Sequence, residues 1–185
     1  MPPSERPSGT EPTHPLRVYI SRERIRQRVE ELGREIERDH PSEPLVLLGV
    51  LKGSFIFLAD LARAIQRPLR VEFLGVQSYG NETKSSGAVQ ITLDVTNPVE
   101  GSDVVIVEDI VDTGLTLTYL KRMLDARHPR SLRVCVLTDK IERRQVDVAV
   151  DYVGFTIPNV YVIGYGFDHD GLYRNLPYVA VLEGV

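Results

Sequence analysis

The chain has 185 residues, of which 42% are hydrophobic, and it carries a formal net charge of -4 at a pI near 5.6. This is enough apolar material for one domain with a full core, and the acidic balance excludes a globally basic surface for nucleic acid. The single cysteine, Cys135, excludes an intrachain disulfide, and the apolar stretches are too short to span a membrane or to form a secretory signal, so we expect a cytoplasmic protein.

Residues 1–15 contain five prolines among polar side chains, which predicts a disordered tail before a single domain over residues 16–185. Ser21 is a candidate helix cap, and helical spacing follows in Ile25, Val29, Leu32 and Ile36. From Pro44 onward, apolar strand patterns alternate with helical ones. The strand LVLLGV is followed by the helix FIFLADLARAI, the strand LRVEFLGV, a polar loop and the strand AVQITLDV. The strand and helix described next follow, and then the strands SLRVCVL, NVYVIGYGF and YVAVLEG. The alternation predicts an α/β fold with a mostly parallel central sheet flanked by helices.

The most informative segment is VVIVEDIVDTGLT, residues 104 to 116. Its first four β-branched residues predict a buried parallel strand, and Glu108 and Asp109 follow at the carboxyl end, where open α/β sheets bind ligands. A turn with Asp112, Thr113 and Gly114 then opens a helix over LTLTYLKRML. The free amides at the start of that helix and the Thr113 hydroxyl suit a phosphate, while the acid pair suits ribose hydroxyls.

Two plainer interpretations stand beside a sugar-phosphate site. A core strand followed by a polar turn accounts for the apolar half, but three carboxylates within five residues are costly to hold together without a cation or hydroxyl donors. The triplet Asp112, Thr113 and Gly114 also occurs in aspartic proteases, but that mechanism needs a second such carboxylate, and the chain has a single copy.

The thirteen residues resemble the phosphoribosyl diphosphate motif of the type I phosphoribosyltransferases. The resemblance implies that fold, with a small hood beside the central sheet, and it extends over roughly residues 16 to 183. It places Asp112 as the general acid or base at the purine N7 and assigns the phosphoribosyl group to Glu108, Asp109, Asp112, Thr113, Gly114, Leu115 and Thr116. A capping aspartate is the plainer interpretation of Asp112.

Two further segments extend the resemblance to the hypoxanthine-guanine branch of the family. The run GVLKGSFIFLADL implies a pyrophosphate loop at Leu51, Lys52 and Gly53, where the family often has a cis peptide between the first two residues. The polar loop over residues 77–87 matches the family's flexible lid at Ser78 and Tyr79. Such a lid would keep water from an oxocarbenium-like centre during ribosyl transfer.

The resemblance also assigns residues to the purine and to the metal. Lys140 would donate to the purine O6, since an ammonium has only donors and therefore favours a 6-oxo group over an amino group. Tyr161 would stack on the base and the Val162 backbone would contact its edge. Arg174 would clamp pyrophosphate, and Asp168, with Glu108 and Asp109, would bind Mg²⁺. The plainer interpretations are a surface lysine for Lys140 and a core aromatic residue on a strand for Tyr161.

The implied activity is transfer of a phosphoribosyl group from phosphoribosyl diphosphate to a 6-oxopurine base. Two alternatives stay open: a regulator that senses phosphoribosyl diphosphate, for which no added DNA-reading module is visible, and a pyrimidine-specific relative, since uracil also offers carbonyl oxygens. By analogy with the family we expect a homodimer or homotetramer, with neither nucleic acid nor membrane as a partner.

Overall fold

A computed structural model of the chain describes residues 16–78 and 89–182. The helices in these ranges are α1 (Arg22–Asp39), α2 (Phe55–Ala64) and α3 (Leu115–Asp125), and a 3₁₀ turn covers Ile141–Arg143. The strands are β1 (Leu16–Ile20), β2 (Leu45–Leu51), β3 (Arg70–Ser78), β4 (Val89–Leu93), β5 (Asp103–Val111), β6 (Ser131–Asp139), β7 (Tyr152–Thr156), β8 (Val162–Ile163) and β9 (Val179–Leu182). The tail predicted for residues 1–15 lies outside the described residues.

The central sheet has six strands in the order β4-β3-β2-β5-β6-β7. All its pairs are parallel except β3 with β4 at one edge, which is antiparallel. This arrangement confirms the predicted mostly parallel α/β fold. The β-branched run predicted to be a buried strand is fully buried in β5, at Val104, Val105, Ile106 and Val107.

Neighbouring strands β2 and β5 define the point where the chain reverses its direction across the sheet. After β2 the chain continues through α2 to β3 on one side, and after β5 it continues through α3 to β6 on the other. A crevice forms at such a switch point, at the carboxyl ends of the two strands. The fold therefore brings the segment after Leu51 beside the segment after Val107.

The helices cover both faces of the sheet. Alternate strand residues point to opposite faces, so Val105 packs with the α1 and α2 side chains while Ile106 packs with those of α3. Helix α1 begins as predicted, because the Ser21 hydroxyl accepts a hydrogen bond from the Arg24 amide at 3.3 Å. Within the described ranges, no helix is both long and apolar enough to cross a membrane.

A second, three-stranded antiparallel sheet of order β1-β9-β8 is not hydrogen-bonded to the central one, and several of its buried residues share a hydrophobic core with it; it corresponds to the expected small hood. Strands β1 and β7 were not among the predicted elements. The strand predicted over NVYVIGYGF was too long, because only Val162–Ile163 is extended there. Positive φ angles at Gly164, Tyr165 and Gly166 turn the chain, and a β-strand cannot continue through them.

Candidate active site

The turn between β5 and α3 forms a loop whose amides could bind an anion, with the Leu115 amide also donating weakly to Thr113 Oγ1 at 3.4 Å. Gly114 is the N-cap of α3 with φ of 83°, a left-handed conformation that favours glycine. The first helical hydrogen bond runs from the Thr118 amide to the Gly114 carbonyl at 2.9 Å, so the amides at the start of α3 precede the helical ladder. A cavity of about 200 Å³ lies here, lined by Glu108, Ile110, Val111, Asp112, Thr113, Gly114, Thr116 and Leu117.

A later segment of the chain supports this loop from behind. The amides of Gln145 and Val146 donate to the Thr113 carbonyl at 3.0 and 3.3 Å. A Cβ built on Gly114 would meet the side chains of Val148 and Val146 at 2.9 and 3.1 Å. Glycine is therefore needed here both for its φ angle and for space, and the loop is held by packing as well as by hydrogen bonds.

The acid pair lies in the last residues of β5 and is poorly solvated. Burial, and secondarily the neighbouring Asp109, raise the pKa of Glu108 well above its usual value. The Glu108 Oε2 atom is buried without a hydrogen-bond partner among the described residues. Burial also raises the pKa of Asp109 to about 6; backbone hydrogen bonds from Ile110 and Asp109 itself oppose the shift, as does Arg174, and Asp168 adds to it. The Ile110 amide donates to Asp109 Oδ1 at 2.9 Å, but Glu108 Oε2 lacks a donor within the described ranges, so hydroxyl groups or a cation would further stabilise the pair.

The loop after β2 touches the acid pair directly. The peptide between Leu51 and Lys52 is cis, as the resemblance implied. A Cβ built on Gly53 would overlap the Asp109 carboxylate, and one built on Gly166 would overlap the Gly53 carbonyl. The switch point thus brings the loop after β2, the end of β5 and the segment before β9 into contact. A cavity of about 420 Å³ beside this contact is lined by Leu51, Lys52, Phe55, Phe73 and Arg174.

Arg174 is fixed by two contacts within its own loop. Its guanidinium lies 2.6 Å from the Asp168 carboxylate and donates to the Gly166 carbonyl at 2.6 Å. The Gly166 amide in turn donates to the Arg174 carbonyl at 3.0 Å. The two residues assigned by resemblance to pyrophosphate and to metal therefore form one ion pair, and both act electrostatically on Asp109.

The residues assigned to purine O6 and N7 lie on one side of the phosphate loop. Lys140 follows β6, and its amide donates to the Val111 carbonyl at 2.9 Å, which places it beside Asp112. The residue Lys140 is only 9% exposed. Burial lowers its pKa, while Asp112 opposes that shift and Arg143 adds to it. An ammonium on a largely buried lysine would gain from an acceptor such as a carbonyl oxygen.

Sequence reasoning missed the partner of Asp112. Arg143 lies in a short charged run after Lys140 to which no role was assigned from the sequence, yet its Nε donates to Asp112 Oδ1 at 2.9 Å. The two residues are 31 positions apart in the chain, so no local spacing could have revealed the contact. The structure therefore adds Arg143 to the candidate site.

Tyr161 and Val162 lie where the second sheet meets the loop that contains Asp168. Tyr161 is 44% exposed, which is compatible with the predicted stacking role, and its hydroxyl donates to the Asp168 carbonyl at 3.1 Å. The His169 ring packs edge-on against it, with ring centroids 5.6 Å apart. Val162 pairs with Val181 of β9, which fixes its backbone.

The lid residues are only partly within the described residues. Ser78 ends β3, where it pairs with Val89 of β4. Tyr79 and the rest of the predicted lid up to residue 87 lie outside the described residues, so the lid stays a prediction.

The carboxyl groups fit a magnesium ion held mainly by substrate. Among the described residues, no three side chains of His, Cys, Asp or Glu come together as a metal-binding group. Magnesium usually takes one or two protein carboxylates together with water and substrate phosphate oxygens. The unpartnered Glu108 Oε2 and the closeness of Asp109 to Asp168 provide acidic oxygens of that kind.

Comparison with known proteins identifies the family of the chain. The family model described as phosphoribosyl transferase domain matches residues 20–170. The chain belongs to the phosphoribosyltransferase family. Among curated members, the hypoxanthine-guanine phosphoribosyltransferase of Mycobacterium avium is 51% identical over 172 residues, covering 90% of this chain and 85% of its own length. The enzyme of the same name from Dictyostelium discoideum is 48% identical over 170 residues, covering 90% of this chain and 94% of its own length.

A solved phosphoribosyltransferase structure shows the same fold. The hypoxanthine phosphoribosyl transferase of Trypanosoma cruzi superposes with a TM-score of 0.87 at 46% sequence identity, and the match covers 94% of each chain. The family assignment and the α/β fold predicted from the sequence are therefore both confirmed.

Proposed function

We propose that this phosphoribosyltransferase is a purine salvage enzyme that transfers 5-phosphoribosyl from phosphoribosyl diphosphate to N9 of hypoxanthine or guanine. The products are IMP or GMP and pyrophosphate. The enzyme names of the close relatives support this activity, and the comparisons give no support to a regulatory function. The homodimer or homotetramer stays a prediction.

One observation carries the choice of base: Lys140 is nearly buried beside Asp112, next to the phosphate loop. Its ammonium can only donate, so it stabilises a base that presents an oxygen at C6 and disfavours the amino group of adenine. A base held there has the Asp112 carboxylate within reach of its imidazole side.

The donor would bind across the switch point. The amides at the start of α3 and the Thr113 and Thr116 hydroxyls would hold the 5′-phosphate, and Glu108 and Asp109 would accept from the ribose hydroxyls. Lys52 and Arg174, which line one cavity, would contact pyrophosphate. Their charges stabilise the negative charge that develops on the leaving group.

In the reaction, the C1′ to N9 bond forms as the bond from C1′ to the pyrophosphate oxygen breaks. The N7 proton becomes acidic as the base bonds to the sugar, and the Asp112 carboxylate accepts it. The Tyr161 ring would hold the base plane by stacking, worth about 1–3 kcal/mol. Lys140 would fix the base in the plane, so that N9 points toward C1′.

A divalent metal is a general requirement of the family, and we propose that it is Mg²⁺. Asp168, Glu108 and Asp109 would hold it together with donor oxygens, and when bound it would neutralise pyrophosphate charge.

The proposal is tested by initial rates with phosphoribosyl diphosphate and Mg²⁺ against hypoxanthine, guanine, xanthine, adenine and uracil. We expect a 6-oxopurine to react fastest. Faster turnover of adenine or uracil than of both hypoxanthine and guanine would contradict the assignment of Lys140.

The role of Asp112 has its own test. Asp112→Asn should lower kcat by about 10²- to 10⁴-fold, the usual worth of a general acid or base, with little change in the KM for phosphoribosyl diphosphate. Full turnover in this variant would remove Asp112 from proton transfer.

A further inference from the structure

The carboxylate of the proposed proton acceptor, Asp112, makes a direct hydrogen bond with Arg143. Its Nε donates to Asp112 Oδ1 at 2.9 Å. Arg143 belongs to the 3₁₀ turn that directly follows Lys140, and its amide donates to the Lys140 carbonyl at 2.9 Å. One short turn therefore presents one cation to the purine O6 position and a second to the carboxylate proposed to act at N7.

The neighbouring arginine, Arg144, makes different contacts, so the contact with Asp112 is specific to Arg143. Arg144 donates to the Asp139 carboxylate at 3.0 Å and to the Val148 carbonyl at 3.1 Å. Its ion pair is well buried, with 17% of the Arg144 side chain and 7% of the Asp139 side chain exposed. Arg144 thus anchors the segment behind the phosphate loop and leaves Arg143 to reach Asp112.

The pair of Arg143 and Asp112 contributes little to fold stability. Its side chains are 47% and 39% exposed, and exposed ion pairs are typically worth about 0–1 kcal/mol. A carboxylate has two oxygens, however, and a donor fixed on one of them restricts the direction of the other. In the same way, catalytic bases in other enzymes are oriented by a third group that hydrogen-bonds to them.

We propose that Arg143 is a positioning residue for the transfer reaction: by holding Asp112 Oδ1, it leaves Oδ2 to accept the N7 proton. This inference rests on the proposed function and deepens it. The proton passes from N7 to Oδ2, while Arg143 keeps all its own protons throughout. Arg143 touches neither the base nor the sugar, and it acts only through Asp112.

The test compares single-turnover rates with guanine for wild type, Arg143→Gln, Arg143→Lys, Asp112→Asn and the double variant Arg143→Gln/Asp112→Asn. Arg143→Gln should lower the rate by about three- to tenfold, the range between an exposed and a charge-assisted hydrogen bond. The KM for phosphoribosyl diphosphate should not change, and Arg143→Lys should recover part of the rate. In the Asp112→Asn background, Arg143→Gln should cause no further loss, because its effect passes through that carboxylate.

Arg127→Gln is the matched control, since Arg127 makes an ion pair with Asp94 at 2.8 Å outside the candidate site, and its rate should equal that of wild type. A wild-type rate in Arg143→Gln overturns the inference while leaving the proposed function intact. An equal loss in both backgrounds also overturns it, because it shows a structural effect. A wild-type chain that uses none of the bases overturns the proposed function and this inference together.

Discussion

The contact between Gly53 and Asp109 makes a quantitative prediction about donor binding. Gly53 lies outside the left-handed region of backbone space, so Gly53→Ala introduces no backbone strain and adds only a methyl group. That group would overlap Oδ2 and Cγ of Asp109. The loop after β2 or the carboxylate must therefore move.

The cost can be worked out from what holds the carboxylate. The Ile110 amide donates to Asp109 Oδ1 at 2.9 Å, and moving the carboxylate sacrifices that bond. A hydrogen bond to a charged group contributes about 1.5–3 kcal/mol, and moving the loop instead costs about 1–3 kcal/mol in overpacking. Either shift separates groups proposed to contact ribose and pyrophosphate, so kcat/KM for phosphoribosyl diphosphate should fall by about 10- to 100-fold.

The assay is steady-state kinetics with each substrate varied in turn, together with thermal unfolding. The KM for guanine at saturating donor should change little. Gly101→Ala is the control: its φ is 67° and nothing lies within 4 Å of the added Cβ, so it should lower stability through strain but leave donor kinetics unchanged. Wild-type kcat/KM for the donor in Gly53→Ala would refute the reasoning.

Three further predictions follow from described contacts. Phe57 of α2 is fully buried, so Phe57→Ala should lower the free energy of unfolding by about 3–5 kcal/mol, measured by urea titration. A loss below about 1 kcal/mol would contradict its place in the core. Burial lowers the pKa of His40, with Asp103 opposing, so at this residue the unfolded chain binds more protons below about pH 6.5. Glu108 and Asp109, whose pKa values are raised, act in the opposite direction, so the effect is measured as the difference from His40→Gln. As the pH drops from 7 to 5, the free energy of unfolding of wild type should fall relative to that of His40→Gln, and a constant difference would contradict the assignment. Tyr161→Phe keeps the stacking ring but removes the hydrogen bond from the hydroxyl to the Asp168 carbonyl. The KM for guanine should therefore change less than twofold, while the Mg²⁺ concentration that gives half-maximal rate should rise about two- to tenfold. An unchanged Mg²⁺ dependence would show that the bond does not couple Tyr161 to the Asp168 loop.

The features that were predictable from the sequence are those encoded in local patterns. The run from Val104 to Val107 predicted a doubly covered strand, and all four residues are fully buried. Ser21 predicted the start of α1, and its hydroxyl caps that helix. These predictions hold because burial and capping depend on residues adjacent in the chain.

The features that were missed depend on pairing between distant segments. The contact of Arg143 with Asp112 and the insertion of β9 between β1 and β8 arise only when the topology brings remote parts together. The strand predicted through Tyr165 was cut short by left-handed backbone at a non-glycine residue, a conformation that the apolar alternation of NVYVIGYGF does not encode. The acid pair itself was predictable, but the lack of a donor for Glu108 Oε2 was not.

The position of β9 determines the order in which parts of the candidate site can form during synthesis. This strand lies between β1 and β8 and supports Tyr161 directly, since the Leu182 amide donates to the Tyr161 carbonyl at 3.3 Å. On the ribosome, the loop for the sugar phosphate emerges long before residues 179–182. A nascent chain can therefore shape its sugar-phosphate loop early, whereas the platform for the nucleobase is completed only by β9, the last of the described strands.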